Sequence, residues 1–188
     1  MKKKFYFLLF AIMISVASTA QRFEYQLGLK GAMGMGWLAA DNDSIGSENG
    51  LCYKFGLTGV YYFGENYGIT SGFNIMGNNM SSVSNTFVQV PFLLKMRTDN
   101  FAEKFRFCGE IGYGLDLFLK DNGKKEFRLP YRDVCSSFIL HLGMEIEVLN
   151  RSTLQLMACY DTFFSNMLSK GNDKLTMSNL CFEIGFLF

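Results

Sequence analysis

Leu180-Cys181-Phe182-Glu183-Ile184-Gly185-Phe186-Leu187-Phe188 is the stretch that decides the fold. Leu180, Phe182, Ile184, Phe186 and Phe188 fall on one face at period two. Cys181, Glu183 and Gly185 fall on the other, with Leu187 the single apolar exception. Side chains alternate along a strand, so this segment predicts a strand with one greasy face and one polar face. A bare apolar face closed by an aromatic is foreign to a water-soluble domain. It suits the last strand of a bacterial outer-membrane barrel, where Phe182, Phe186 and Phe188 are expected to act as the signal read by the insertion machinery.

The opposite end fits the same reading. Lys2, Lys3 and Lys4 precede an apolar stretch from Phe5 to about Ala17, and Ser18-Thr19-Ala20 stand before Gln21. A charged start, a short apolar run and small residues at the cut make a secretory signal peptide. The expectation is a leader over 1–20, cleaved between Ala20 and Gln21, and one barrel domain over 21–188. Loss of the three lysines moves the formal charge from +1 to about −2. That balance gives no footprint for nucleic acid.

Hydrophobic residues make up 49% of the chain, with 20 Phe and only two Pro. After the leader no apolar run reaches the length of a spanning helix. The apolar residues therefore line either a large soluble β core or a lipid-facing surface. Periodicity separates the two. Eight segments alternate. The first sets Phe23, Tyr25, Leu27 and Leu29 against Glu24, Gln26, Gly28 and Lys30. The second sets Leu51, Tyr53, Phe55 and Leu57 against Cys52, Lys54, Gly56 and Thr58. The third is weaker, with Ile69, Phe73 and Ile75 against Thr70, Gly72 and Asn74. Val88 to Met96, Phe105 to Leu117, Phe138 to Val148 and Leu154 to Tyr160 follow, and the C-terminal strand is the eighth. Each is long enough to cross a membrane as a tilted strand.

The polar faces carry single charges spaced by Gly, Cys and Ala. A soluble barrel would be greasy inside and charged outside. Here the order is inverted, as in a transmembrane barrel. The fold expected is all-β, a transmembrane antiparallel up-and-down barrel of about eight strands. Short connectors at Gly64 to Asn66, Thr98 to Ala102 and Asn150 to Ser152 are expected to face the periplasm, with both termini. Longer ones at Leu38 to Gly50, Asn78 to Asn85, Lys120 to Asp133 and Phe164 to Leu175 are expected outside. Two aromatic groups, Tyr61, Phe63, Tyr67, Phe101, Phe105, Phe186 and Phe188 near the short turns, and Trp37 with Tyr53 near the long loops, suit the two membrane interfaces.

Phe87-Val88-Gln89-Val90-Pro91-Phe92-Leu93-Leu94-Lys95 resembles the Pro-containing strand of the PorT-like outer-membrane β-barrel family. Phe107 to Gly114 resembles its next, glycine-rich strand. Leu156 to Met167 resembles a later one, with Cys159 where Arg is usual and Phe163-Phe164 in place of Gly. The resemblance implies an eight-stranded outer-membrane barrel, and one branch of the family assists protein secretion to the cell surface. Pro91 itself lacks a ladder donor, so a bulge is expected there.

Candidate chemistry is sparse. Cys52, Cys108, Cys135, Cys159 and Cys181 all take the inward parity, at spacings that match no zinc motif. His141 is the only histidine, expected opposite Cys159 or Asp161. One His without a placed nucleophile makes no triad, and it brings no second soft ligand for a metal. Gly31 to Gly36 lie inside a strand and form no phosphate loop. Lys30, Lys54, Lys95, Arg106, Glu110, Asp116, His141, Glu145 and Glu183 are expected to form a charge network filling the lumen. The functional expectation is an integral outer-membrane barrel without catalytic activity, cofactor or metal. It would act through external loops around Asp41 to Glu48 and Asp121 to Arg128, or as an accessory to envelope or secretion partners. Its other partners are membrane lipid and the barrel-insertion machinery. The alternative is a small porin-like channel.

Overall fold

The computed structural model describes residues 25–40, 47–80, 84–121, 131–149, 152–168 and 175–188. The expected leader with its Ala20–Gln21 cut lies outside the described residues. So do Phe23 and Glu24, Asp41 and Asp43, Lys124, Lys125 and Arg128, and the Asn150-Arg151 turn. Eight strands follow one another: β1 Tyr25–Ala40, β2 Glu48–Tyr62, β3 Tyr67–Met80, β4 Ser84–Arg97, β5 Phe105–Asp121, β6 Val134–Leu149, β7 Ser152–Phe163 and β8 Leu175–Leu187. Each pairs antiparallel with the next, and β8 pairs with β1 to close the barrel. Closure leaves no edge strand, which a sheet in hydrocarbon requires. At the seam Leu27 and Phe188 exchange both backbone hydrogen bonds, at 3.0 and 2.7 Å.

The ladder registers fix the barrel's shape. The partners of Gly68 run Lys95, Glu110, His141, Cys159, Cys181, Gly34, Cys52 and then Asn78. One circuit thus returns to β3 ten residues further along, from Gly68 to Asn78. With strands about 4.8 Å apart and about 3.3 Å per residue, that stagger tilts them by roughly 40°. An eight-stranded barrel of this tilt is only wide enough for its own side chains.

The faces divide as the alternation predicts. Leu29, Phe55, Phe73, Phe92, Tyr113, Leu142 and Phe182 are among the exposed apolar residues. Among the described residues no Asp, Glu, Lys or Arg takes an outward position within the membrane-facing belt. Lys30, Lys54, Lys95, Glu110, Asp116, Glu145 and Glu183 are buried inside. Leu187, the apolar exception, packs with Val60 and Tyr62 as a floor at the short-turn end.

The pattern inverts toward the other end. There several outward positions are polar but uncharged, Asn49, Asn79, Thr86, Ser136, Thr162 and Ser178, among apolar ones such as Trp37, Leu119 and Val134. The inward positions become apolar. Leu38, Met76, Met80, Phe87, Phe163, Leu175 and Met177 form one buried cluster with Tyr131, Met167 and Leu168. Phe118 and Tyr131 stack at 4.8 Å, and Phe87 packs edge-on to Phe118. Arg132 holds the cover in place, donating from its backbone N to the Met167 carbonyl and from Nε to the Leu168 carbonyl. At this end the strands therefore close over an apolar inner cluster, alongside the buried Asn78, Asn85 and Asn179.

Two local expectations are corrected. Pro91 carries no bulge: it stays in register opposite Gly114. Instead the β3–β4 ladder opens between the Ser71–Phe92 and Asn74–Gln89 pairs, with no residue inserted. Two unformed bridges absorb the missing donor. The bulge lies further on, at Thr86/Phe87, where β5 contributes the extra residue. The Asn78 to Asn85 connector is also shorter than expected, because β3 runs to Met80 and β4 starts at Ser84. Pairs such as Asn78–Asn85 continue the hairpin with polar residues that read as loop.

Leu115 and Leu142 sit mid-strand on the lipid face, 47% and 58% exposed. Leu115→Arg and Leu142→Arg should each cost roughly 2–4 kcal/mol of barrel stability. Urea titration of refolding into lipid vesicles reads this out. An outward Arg that leaves the midpoint unchanged refutes the face assignment.

Candidate functional site

The lumen is where the chain gathers its chemistry. Between the floor and the apolar cap lie three buried lysines, and each is drawn to a carboxylate. Lys95 on β4 contacts Glu110 on β5 at 3.2 Å and Glu145 on β6 at 2.7 Å. Lys54 on β2 reaches across the lumen to Asp161 on β7, at 2.5 Å. Lys30 on β1 lies 3.6 Å from Glu183 on β8. Burying these charges singly would cost several kcal/mol each, so pairing is what lets them sit there. Neutral groups extend the network: Thr70 donates to Glu110 at 3.0 Å, and Gln155 donates to Glu145 at 2.8 Å.

His141 stands in the middle. Its register partner is Cys159, one of the two positions expected. Its Nδ1 lies 3.2 Å from Glu110 Oε2, and its Nε2 lies 3.5 Å from Asp161 Oδ1. It thus bridges the Lys95 group to the Lys54 group. Of the residues expected in the lumen, Lys30, Lys54, Lys95, Glu110, His141, Glu145 and Glu183 make buried contacts of this kind.

Two of the expected members stand apart. Arg106 lies at the short-turn mouth and donates from Nε to the Asn100 side chain. It keeps the inward parity, but its level lies too near the rim for the guanidinium to enter the lumen. Asp116 is buried but meets no lysine. Ser137 donates to its Oδ2 at 2.6 Å, at the boundary with the apolar cap. Asp161 is the network member that the expected set omitted. It takes the inward parity two residues after Cys159, so alternation marks it. Its contact with Lys54 depends on the stagger of the closed barrel, which alternation does not supply.

All five cysteines are buried and unbridged. Cys52 and Cys181 flank Gly34 on either side of β1. A Cβ on Gly34 would lie 2.6 Å from the Cys181 Cα and 2.0 Å from the Leu180 carbonyl. Only glycine lets the two thiols share that level of the wall. Cys159 follows Cys181 in the same row. Among the described residues, His141, Cys159 and Glu183 are one group whose donor atoms all lie within 4.8 Å of one another. The sequence spacing, 141, 159 and 183, conceals this because three separate strands supply the donors.

The closed eight-stranded fold has known counterparts. Neisserial surface protein A is similar at 10% identity and a TM-score of 0.59, covering 89% of this chain and 100% of its own. The outer membrane protein OprG of Pseudomonas aeruginosa is similar at 10% identity and 0.52, covering 86% and 94%. The outer membrane enzyme PagL is similar at 11% identity and 0.52, covering 84% and 97%. No family model and no curated protein matches the sequence. The fold is that of the eight-stranded outer-membrane barrels. Since an enzyme stands among them, the architecture does not decide the chemistry.

Lys95 serves two buried carboxylates, whereas Glu145 shares its lysine with Glu110. Lys95→Met should therefore destabilise by about 3–5 kcal/mol, because it strands two charges. Glu145→Gln should be clearly milder, since Lys95 keeps Glu110. Urea unfolding midpoints of the two variants in the same detergent test the order, and a reversed order refutes the pairing.

Proposed function

We propose that this protein is an integral barrel of the bacterial outer membrane, non-catalytic, acting through its external loops or as an accessory to envelope or secretion partners. The observation that carries this is the filled lumen. Val60, Tyr62 and Leu187 floor it, ion pairs cross its middle, and the Leu38–Phe87–Phe163–Met177 cluster caps it. A path for ions or solutes would have to break buried charge pairs and then cross a close-packed apolar layer. Surface action is what this leaves. In this reading the short turns and both termini face the periplasm, and the chain is a PorT-like barrel. The resemblance of Phe87 to Lys95 supports that, as does the fold. The loops around Asp41 to Glu48 and Asp121 to Arg128 hold charges of both signs. Partner contacts made there weaken with salt.

An enzyme reading finds little support. His141 is 1% exposed and walled in by Glu110 and Asp161. No hydroxyl or thiol beside it is open to a substrate among the described residues.

Planar bilayers separate the surface-acting barrel from a pore. Purified, refolded protein should give no steady single-channel steps, while migrating as a compact band on gels unless boiled. Stable unitary steps from the folded band would replace this reading with the channel. Cross-linking in native membranes, followed by capture at low and high salt, identifies the partner. Capture that is insensitive to salt would reject the charged loops as its contact.

A further inference from the structure

We propose that His141, Cys159 and Glu183 bind one divalent transition-metal ion in the barrel lumen, with Asp161 Oδ1 at the fourth position and zinc the best-matched metal. Three adjacent strands build the site. His141 on β6 pairs with Cys159 on β7, and Cys159 pairs with Cys181 on β8. Glu183 lies two residues beyond Cys181 on the same inward face. The three donor atoms lie within 4.8 Å of one another and all three residues are buried. A tetrahedral ion with bonds of about 2.0–2.3 Å sets its donors about 3.3–3.8 Å apart. Side-chain movements of about 1 Å close the site around such an ion.

The surroundings prepare His141 as a ligand. With Nδ1 donating to Glu110 Oε2 at 3.2 Å, Nε2 keeps its lone pair for an ion, 3.5 Å from Asp161 Oδ1. A carboxylate behind the far ring nitrogen is the usual support of a metal-bound histidine. Lys95 and Thr70 fix Glu110 in turn. Meanwhile His141 Nε2, Asp161 Oδ1 and Glu183 Oε2 make no hydrogen bond, although each residue is only 1% exposed. Unsatisfied buried polar atoms are costly and few in a native interior. Two of them, His141 Nε2 and Asp161 Oδ1, face each other at 3.5 Å, and Glu183 Oε2 has only Lys30 Nζ beside it, at 3.6 Å. Lys54 occupies the other oxygen of Asp161, so Oδ1 is the oxygen left for an ion.

Charge balance points the same way. Lys30, Lys54 and Lys95 face Glu110, Glu145, Asp161 and Glu183, which leaves one negative charge in excess. A mixed nitrogen, sulfur and oxygen set favours zinc, cobalt or nickel over magnesium and calcium. The floor and the cap close the lumen, so the ion enters while the barrel forms.

The test refolds the full chain in detergent with one equivalent of Co²⁺, then removes loose metal by chelator and gel filtration. One cobalt per chain is expected. It should show the intense visible bands of four-coordinate cobalt, a near-ultraviolet thiolate-to-cobalt band, and displacement by Zn²⁺. Cys159→Ser should lose the thiolate band, and His141→Gln should lose retention. Glu110→Gln should keep the spectrum and bind about tenfold more weakly. Cys181→Ser and Cys135→Ser should match the parent. Each variant is compared only after its heat-modifiable folded band is seen. If Cys159→Ser does not fold, the His141, Glu110 and Cys181 variants decide. No retained cobalt, retention without a thiolate band, or a band that follows Cys181 rather than Cys159 would overturn the site.

Discussion

Closure of the sheet is the constraint on which everything else rests. Eight strands that leave no edge satisfy their backbone groups in hydrocarbon, and they must present apolar side chains to the lipid. Along the lipid-facing band the same alternation sends the charged side chains into a lumen barely wider than the side chains themselves. Charges confined there have little water and few alternatives, so the three lysines and four carboxylates settle into pairs. The network around His141 is the result of solving the outside first.

The inner wall changes character along the barrel axis. In the lower band apolar residues such as Phe182 and Leu142 face outward, and Lys54 and Asp161 face inward. In the upper band Ser178 and Thr162 face outward, and Met177 and Phe163 face inward. One sheet therefore carries both arrangements. The lower band is held by lipid and ion pairs, the upper by burial of Phe87, Phe163 and their neighbours from water.

Much of this was readable from alternation alone. The apolar parity of Leu180 to Phe188 implied the lipid face, and the opposite parity implied which lysines and carboxylates turn inward. Pairing was not readable. That Lys54 meets Asp161, or that His141, Cys159 and Glu183 converge, depends on a stagger that sums the registers of eight strand pairings. No local pattern contains that sum. Arg106 was misplaced for a related reason, because parity gives a side chain's face but not its height. The polar residues Asn78 and Asn85 read as loop, yet the hairpin continues through them. Pro91 invited a bulge, but leaving two bridges unformed accommodates it with less distortion.

The ion pair of Lys54 with Asp161 joins β2 to β7, and that of Lys30 with Glu183 spans the β1–β8 seam. Neither can form until the two ends of the sheet meet. An unclosed sheet leaves Lys30 and Lys54 hydrated, and their carboxylate partners likewise. Drying the interior ahead of closure would isolate those charges, so dehydration and the final seam must occur together. A sheet closed in another register would leave those charges without their partners, so the network adds a charge-matching condition to the stagger.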